Sequence, residues 1–327
     1  MAVTEVMRRR FIAISAAAAA TASWPGRATA ATGLLEWRGV ALGARATIRL
    51  AHPDPGSGRA LLRRCVDEIE RLERIFSLFR LDSDLCRLNR DGVLDLPPLE
   101  LVELLSYAAS VSAATGGAFD VTVQPLWRRY AEHFAAADAD PAGPAVDDLL
   151  PLVDWRAITV AADRVGLQRP GMAVTLNGIA QGYITDRVAE RLRSEGMAFV
   201  LIDLGETRAL GGRPDGTPWR IGLADPAEAG RIAARLNLED AALATSGGYG
   251  TPFDAMGRHN HLIDPRSGRS VPARRSVSVM APSATVADAA STALALLPER
   301  ETQGLLRRLG ARSAYIQDAA GFRVLRA

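Results

Sequence analysis

The sequence predicts an α+β fold. Strand-type alternation and helix-type spacing both occur, their order follows no strict βαβ rhythm, and no internal repeat or long linker divides the chain. From Val40 to Leu50 apolar residues occupy the even positions (Val40, Leu42, Ala44, Ala46, Ile48, Leu50), which predicts a strand. Leu61, Leu62, Cys65, Ile69, Leu72, Ile75 and Phe76 then recur at helical spacing. A second helix is expected after Pro97-Pro98, running to Ala114 and stopped by Thr115-Gly116-Gly117. The stretch from Ala131 to Pro151, rich in Ala, Asp and Pro, reads as a loop or insertion. A helix follows over Ile179–Ser194, with Gly196 just beyond it. Strands are expected at Phe199–Asp203, Trp219–Ala224 and Ser276–Ala281. Helices over Thr285–Leu297 and Glu301–Leu309 and strands at Ser313–Gln317 and Phe322–Leu325 complete the chain.

Composition narrows the chemistry. The chain of 327 residues carries 39 cationic side chains, all arginine, against 37 acidic ones. Without lysine there is no Schiff base, no P-loop lysine and no lysine general base. A balance of +2 argues against a nucleic-acid binder that relies on a basic surface.

Residues 1–30 stand apart. Arg8, Arg9 and Arg10 precede Phe11, an alanine-rich apolar run extends from Ile12 to Trp24, and Ala28-Thr29-Ala30 supplies a small-residue cleavage site. That order reads as a secretory signal peptide of the twin-arginine type, too short in its apolar part to span a bilayer. Removing it takes four arginines and one acid, leaving 39 − 4 = 35 cations, 37 − 1 = 36 anions and a balance of −1 for residues 31–327. This remainder can bury a sizeable core, as one large domain or two intertwined lobes. Cys65 and Cys86 make neither a disulfide framework nor a metal knuckle; they read as two small buried hydrophobes, although an exported pair could also bond.

Six segments carry the chemistry: Gly117 to Thr122, Asn177 to Tyr183, Leu204-Gly205-Glu206, Thr245 to Tyr249, His261 to Gly268, and Ala287 to Thr292. A glycine-rich helix start is most often a plain turn, but it also turns unpaired N–H groups toward an anion. Asp288, Ser291 and Thr292 share one helical face, and a carboxylate beside hydroxyls suits a hard divalent ion. Asp288 on its own is equally a first-turn acid, three residues after Thr285. His259 and His261, with no further His or Cys nearby, do not make a zinc site.

In their order these segments resemble the ApbE family of FAD:protein FMN transferases. The family patterns G-x-F-D-I/V-T, D-L-G-G-I-A-K-G-Y, T-S-G-D-Y, H-I-I-D-P-x-T/S-G and A-D-A-x-S/D-T correspond to Gly117–Thr122, Thr175–Tyr183, Thr245–Tyr249, His261–Gly268 and Ala287–Thr292. The run from Ser77 through Phe79 and Ser83 to Asn89 matches a further pattern, and Leu42-Gly43-Ala44 an M-G-T-like strand. The resemblance covers essentially all of residues 31–327 and implies an ApbE-like α+β fold, with mixed or antiparallel sheets and packed helices.

It also implies an Mg²⁺-dependent transfer of FMN from FAD to a Thr or Ser hydroxyl of a partner flavoprotein, with release of AMP. Leu42, Phe79, Ala118, Phe119, Asp120, Gln181 and Ile263 would line the FAD site, with Thr175 at a position where the family has an acid. Asp288, Thr292 and the Gly178 carbonyl would hold the metal, with Ser291 nearby. His261 would take the proton of the acceptor hydroxyl. The implied acceptor carries D-x-x-S/T-G-A/S-T, a pattern absent from this chain, and is membrane-bound with a periplasmic domain. The twin-arginine signal adds a resemblance to the NosX-like branch serving nitrous-oxide respiration. Departures are Thr175 for the acid, Gln181 for lysine, Leu42 for methionine and Gly248 for the second acid; they imply weaker FAD binding. Two other functions fit the same residues: a periplasmic FAD carrier, and a pyrophosphatase giving FMN and AMP.

Overall fold

The computed structural model describes residues 33–228, 230–272 and 274–327; the predicted signal peptide over 1–30 lies outside them. Strand β1 (Gly33–Ala41) turns directly into β2 (Ala44–His52), with Ala41 paired to Ala44. The single strand expected over Val40–Leu50 is therefore a hairpin. Its two turn residues, Leu42 and Gly43, take φ of 46° and 80°, the left-handed pair that a tight two-residue hairpin needs. The alternation continues through the turn by coincidence, and Val40 is 65% exposed while Ala44, Ala46, Ile48 and Leu50 are buried.

Helix α1 (Pro55–Phe76) starts where Asp54 accepts from the Ser57 N–H at 2.7 Å, and it buries the apolar stripe read from its spacing. A short helix, α2 (Asp84–Asp91), is capped by Ser83 and closed by Gly92 at φ 72°. Then come β3 (Val93–Asp95) and α3 (Leu99–Ala114). The segment expected to be a loop begins inside a helix, α4 (Gln124–His133), whose buried residues are Pro125, Leu126 and Tyr130. Val123, Leu126, Trp127, Tyr130, Ala131 and Phe134 keep helical spacing across it, a period that the Ala-, Asp- and Pro-rich stretch immediately following obscures.

Strands β4 (Ile158–Val160) and β5 (Arg164–Leu167) join β3 in a small sheet. Helix α5 (Ala180–Ser194) precedes β6 (Val200–Asp203), β7 (Thr207–Leu210), β8 (Trp219–Ala224), β9 (Ile232–Leu238), β10 (Ala242–Gly247) and β11 (Ser276–Ala281). Helices α6 (Ala284–Leu296) and α7 (Thr302–Leu309) and strands β12 (Ser313–Asp318) and β13 (Gly321–Arg326) end the chain.

Eight strands form one antiparallel sheet in the order β1-β2-β6-β7-β10-β11-β12-β13. The main core gathers residues of these strands with the apolar faces of α1, α3, α5, α6 and α7. A smaller core joins Leu201, Ala209 and Leu243 of the sheet to Trp219, Ile221 and Leu238 of the β8–β9 ribbon. A third, around Leu126, Tyr130, Phe253 and Ile263, packs α4 against the long loop before β11. Both cysteines are free thiols; Cys65 is buried, which pushes its thiol up to about 11. Among the described residues no helix is long and apolar enough to cross a membrane.

Candidate active site

One cavity collects most of the residues singled out from the sequence. Its apolar wall comes from the turn between α3 and α4 (Ala118, Phe119, Val121, Val123), from Trp127 of α4 and from Leu262, Ile263 and Pro265. Its polar wall comes from the approach to α5 (Thr175, Asn177, Gly178, Gln181), from Glu206, from the end of β10 (Thr245, Ser246) and from α6 (Asp288, Thr292). His261 lines the same cavity.

Helix α6 reaches this position because its buried face is built of small residues, Ala284, Ala287, Ala290 and Ala293 among them. Close packing against α5 follows: a Cβ on Gly182 would lie 2.4 Å from the Ala284 carbonyl oxygen and 2.8 Å from Asp288 Cβ. At that contact the Gly182 N–H donates to Asp288 Oδ2 at 3.0 Å. Burial, with the charge of Asp186 as a smaller contribution, pushes the Asp288 carboxyl up to about 7. Glu206 sits in the tight turn between β6 and β7, where burial first, and then the charges of Asp288 and Asp203, hold its carboxyl well above the usual range. Asp203 is itself pushed up to about 6 by burial. Neither Asp288 nor Glu206 has an arginine partner among the described residues.

Two buried acids without a counter-charge ask for a cation. The groups around Asp288 suit a hard one. Thr292, one turn further on, lines the cavity, and a Cβ on Gly178 would lie 3.0 Å from Thr292 Oγ1, so the Gly178 backbone is pressed against that hydroxyl. Ser246 Oγ is 2.8 Å from Ser291 Oγ and 3.2 Å from Thr292 Oγ1. Ser291 does not line the cavity; its hydroxyl donates to the Asp288 carbonyl at 3.0 Å and supports the wall from behind. Among the described residues no group of three or more His, Cys, Asp or Glu side chains converges as a metal site. The polar groups here are instead one carboxyl and the Thr292 hydroxyl, with the Gly178 backbone against them, and oxygen donors of this kind suit a hard cation.

His261 borders the cavity beside Gly250, while its backbone N–H donates to the Thr251 carbonyl at 3.1 Å. Its Nδ1 is buried without a partner, and burial pushes the imidazole down to about 4, so it is neutral near pH 7. A neutral imidazole can accept a proton from a hydroxyl brought beside it.

Several expected flavin-site residues have other work. Asp120 lines the cavity, yet its carboxylate is used up by the Thr122 N–H at 2.8 Å, the Thr122 hydroxyl at 2.6 Å and the Trp155 N–H at 3.0 Å. Thr175 accepts from the Asn177 N–H at 3.3 Å and shapes the approach to Gly178. Gln181 packs against the turn at Gly205, where φ is 102° and a Cβ would lie 2.4 Å from the Gln181 amide nitrogen. Leu42 and Phe79 do not line the cavity; Leu42 N–H donates to Glu73, and Phe79 N–H donates to Ser77 Oγ at 3.1 Å.

The serines and asparagine around Phe79 are scaffold. Ser83 Oγ donates to the Ser77 carbonyl at 2.6 Å, and the Asn89 amide both donates to and accepts from the Val174 backbone, at 2.8 and 2.6 Å. Glu206, Thr245, Ser246 and Trp127 enter the cavity without having been singled out individually. For Glu206 the available signal was the Leu204-Gly205-Glu206 turn after a strand.

Comparison with known proteins shows the family and the fold. A family model described as "ApbE family" matches residues 42–316. A FAD:protein FMN transferase of Vibrio cholerae is 31% identical over 240 residues, covering 71% of each chain. That of Haemophilus influenzae is 29% identical over 270 residues, covering 77% of this chain and 78% of its own. Among solved structures, the ApbE protein of Thermotoga maritima superposes with a TM-score of 0.78 at 25% identity, covering 90% of this chain and 97% of its own. The flavinyl transferase ApbE of Pseudomonas stutzeri does so at 0.73 and 27%, covering 90% and 94%.

Proposed function

The chain belongs to the ApbE family, and from that premise we propose that it is a transferase moving FMN from FAD to a Thr or Ser hydroxyl of a partner flavoprotein. The observation that carries the reading is the buried, uncompensated Asp288 carboxylate beside Thr292 and Gly178, in a cavity that also holds a neutral His261. Asp288, Thr292 and the Gly178 carbonyl would hold Mg²⁺, which when bound offsets charge on the pyrophosphate oxygens of FAD.

The rest of the chemistry falls to the protein. The apolar wall at Phe119, Val123, Trp127 and Ile263 suits an aromatic ring system of FAD. The start of α5, which has no side-chain cap, turns the positive end of its dipole toward the anionic linkage. The acceptor oxygen attacks the FMN phosphorus, the bond from that phosphorus to the AMP oxygen breaks, and the hydroxyl proton passes to the imidazole of His261. Glu206 is a second buried carboxyl beside Asp288, held toward its neutral form by burial and by its acidic neighbours, and a bound cation would favour its ionised form.

The acceptor in this reading is a periplasmic domain carrying D-x-x-S/T-G-A/S-T, and the chain reaches it by twin-arginine export; a membrane-bound regulator of nitrous-oxide respiration fits both features. One experiment tests the reading. Residues 31–327 are incubated with FAD, Mg²⁺ and such a domain, and a denaturing gel is viewed under ultraviolet light. A fluorescent acceptor band is expected. Free FMN and AMP without that band would mean hydrolysis, and intact bound FAD alone would mean a carrier.

A further inference from the structure

We infer that Asp186, which lies outside the cavity, is a positioning residue that sets the register of α6 on α5 and thereby aims Asp288 and Thr292 into the cation site. The inference rests on the cation site proposed above.

Asp186 is buried on α5 and its carboxylate is fully engaged. One oxygen accepts from the Ala284 N–H at 2.8 Å and from Arg208 of β7. The other accepts from the Ser283 hydroxyl at 2.7 Å, the Thr285 N–H at 2.9 Å and the Thr285 hydroxyl at 2.6 Å. A carboxylate at the first turn of α6 answers both its unpaired N–H groups and its dipole. Arg208 of β7 pairs with this carboxylate in the core.

The spacing gives this contact its consequence. Gly182 and Asp186 are four apart on α5, and Ala284 and Asp288 are four apart on α6, so both pairs lie along facing stripes. Gly182 N–H holds Asp288, and one turn along, Asp186 holds Ala284. Two contacts a helical turn apart fix both the rotation and the slide of α6. At the other end Arg275 Nη2 donates to the carbonyls of Leu294 and Leu297, both at 3.0 Å. If the Asp186 contact is lost, the Gly182 bond is the one hydrogen bond left between α5 and α6 among the described residues to aim Asp288 at the cavity.

The test is cation binding by residues 31–327, read by electron paramagnetic resonance of Mn²⁺, alongside the Mg²⁺ dependence of FMN transfer. Asp186→Asn keeps the size but puts an amide N–H against groups that are all donors. It should raise the half-saturating Mn²⁺ and Mg²⁺ concentrations by about tenfold or more, the scale of outer contacts on metal ligands, while kcat at saturating Mg²⁺ stays within a few-fold of wild type. Thr285→Val, which removes one hydroxyl and keeps the N–H, should shift both in the same direction by less, and it decides the matter if Asp186→Asn does not fold. A folded Asp186→Asn or Thr285→Val protein with lowered Tm and unchanged Mn²⁺ affinity makes the contact merely structural and overturns the inference. Asp288→Asn separates the two readings. If wild type binds Mn²⁺ and Asp288→Asn does not, the cation site stands and the Asp186 variants alone judge this inference; if wild type binds none, both fall.

Discussion

The backbone N–H of Gly182 donates to the Asp288 carboxylate at 3.0 Å, across a helix contact that leaves no room for a side chain on Gly182. The donor and the acid are 106 residues apart, so the bond reports the docking of α6 on α5 directly. Gly182→Ala would place a Cβ 2.4 Å from the Ala284 carbonyl and 2.8 Å from Asp288 Cβ. Both neighbours are backbone or backbone-attached, and neither can swing aside. The helices must part, at a cost of about 1–3 kcal/mol in stability. Denaturant titration should show that loss, and transfer should fall further than the lost stability explains, because Asp288 moves with α6. A variant with wild-type stability and rate would mean that the two helices are free to slide.

Asp288 also gives the metal-free protein a pH dependence. Its carboxyl is pushed from an ordinary 3.8 up to about 7 in the folded chain. A raised acid contributes stability that is full below the unfolded value and is lost as pH rises through the folded one. With chelator present, Tm should therefore fall between about pH 4 and pH 7, with Glu206 adding to the slope in the same direction. Asp288→Asn should flatten that fall while lowering transfer on the order of 100-fold or more. Added Mg²⁺ should restore Tm at pH 8 in wild type and not in the variant. Parallel Tm curves for the two proteins in chelator would remove Asp288 as the source.

Asn89 carries a prediction of another kind. Its amide makes both bonds to Val174, the residue before Thr175 at the cavity edge. Asn89→Ala leaves a backbone N–H and carbonyl without partners, which costs about 1–3 kcal/mol. FAD should bind more weakly to a protein that still folds, because the Thr175–Gly178 segment loses its anchor. Asn89→Asp keeps the acceptor and loses the donor, so it should fall between the two in a flavin fluorescence titration. Unchanged FAD affinity in both variants would separate this bridge from the site.

What could be read in the sequence follows the range of the interactions involved. Asp288 and Thr292 share a helical face by spacing alone, and His261 and Gly178 sit in two of the six marked segments; the structure brings these four to one cavity. Glu206 stands in the Leu204-Gly205-Glu206 turn that the sequence marks, but its place beside α6 comes from the β6–β7 pairing rather than from the turn alone. Asp186 acts across 97 to 99 residues, as an acid on the buried side of an ordinary helix. The one expected strand at Val40–Leu50 failed because a period-two pattern does not record that Leu42 and Gly43 are left-handed. Asp120 stands in a motif for a reason the motif does not state: it ties the cavity turn to Trp155.

His261 supplies the last prediction. Burial pushes its imidazole from 6.5 down to about 4. A base with a lowered folded value contributes stability that is present above the unfolded pKa and is lost as pH falls toward the folded one. His261→Gln should therefore lose less stability than wild type between pH 6.5 and pH 4. The same shift keeps the imidazole unprotonated through the range where a free histidine titrates. Single-turnover transfer at saturating Mg²⁺ should then show no acid limb at 6.5, and His261→Gln should be slower by about 10²–10⁴, the usual contribution of a positioned base. An acid limb near 6.5 in wild type that disappears in His261→Gln would mean that the ring titrates as an exposed histidine. A variant as fast as wild type at every pH would mean that the acceptor hydroxyl gives its proton to some other group.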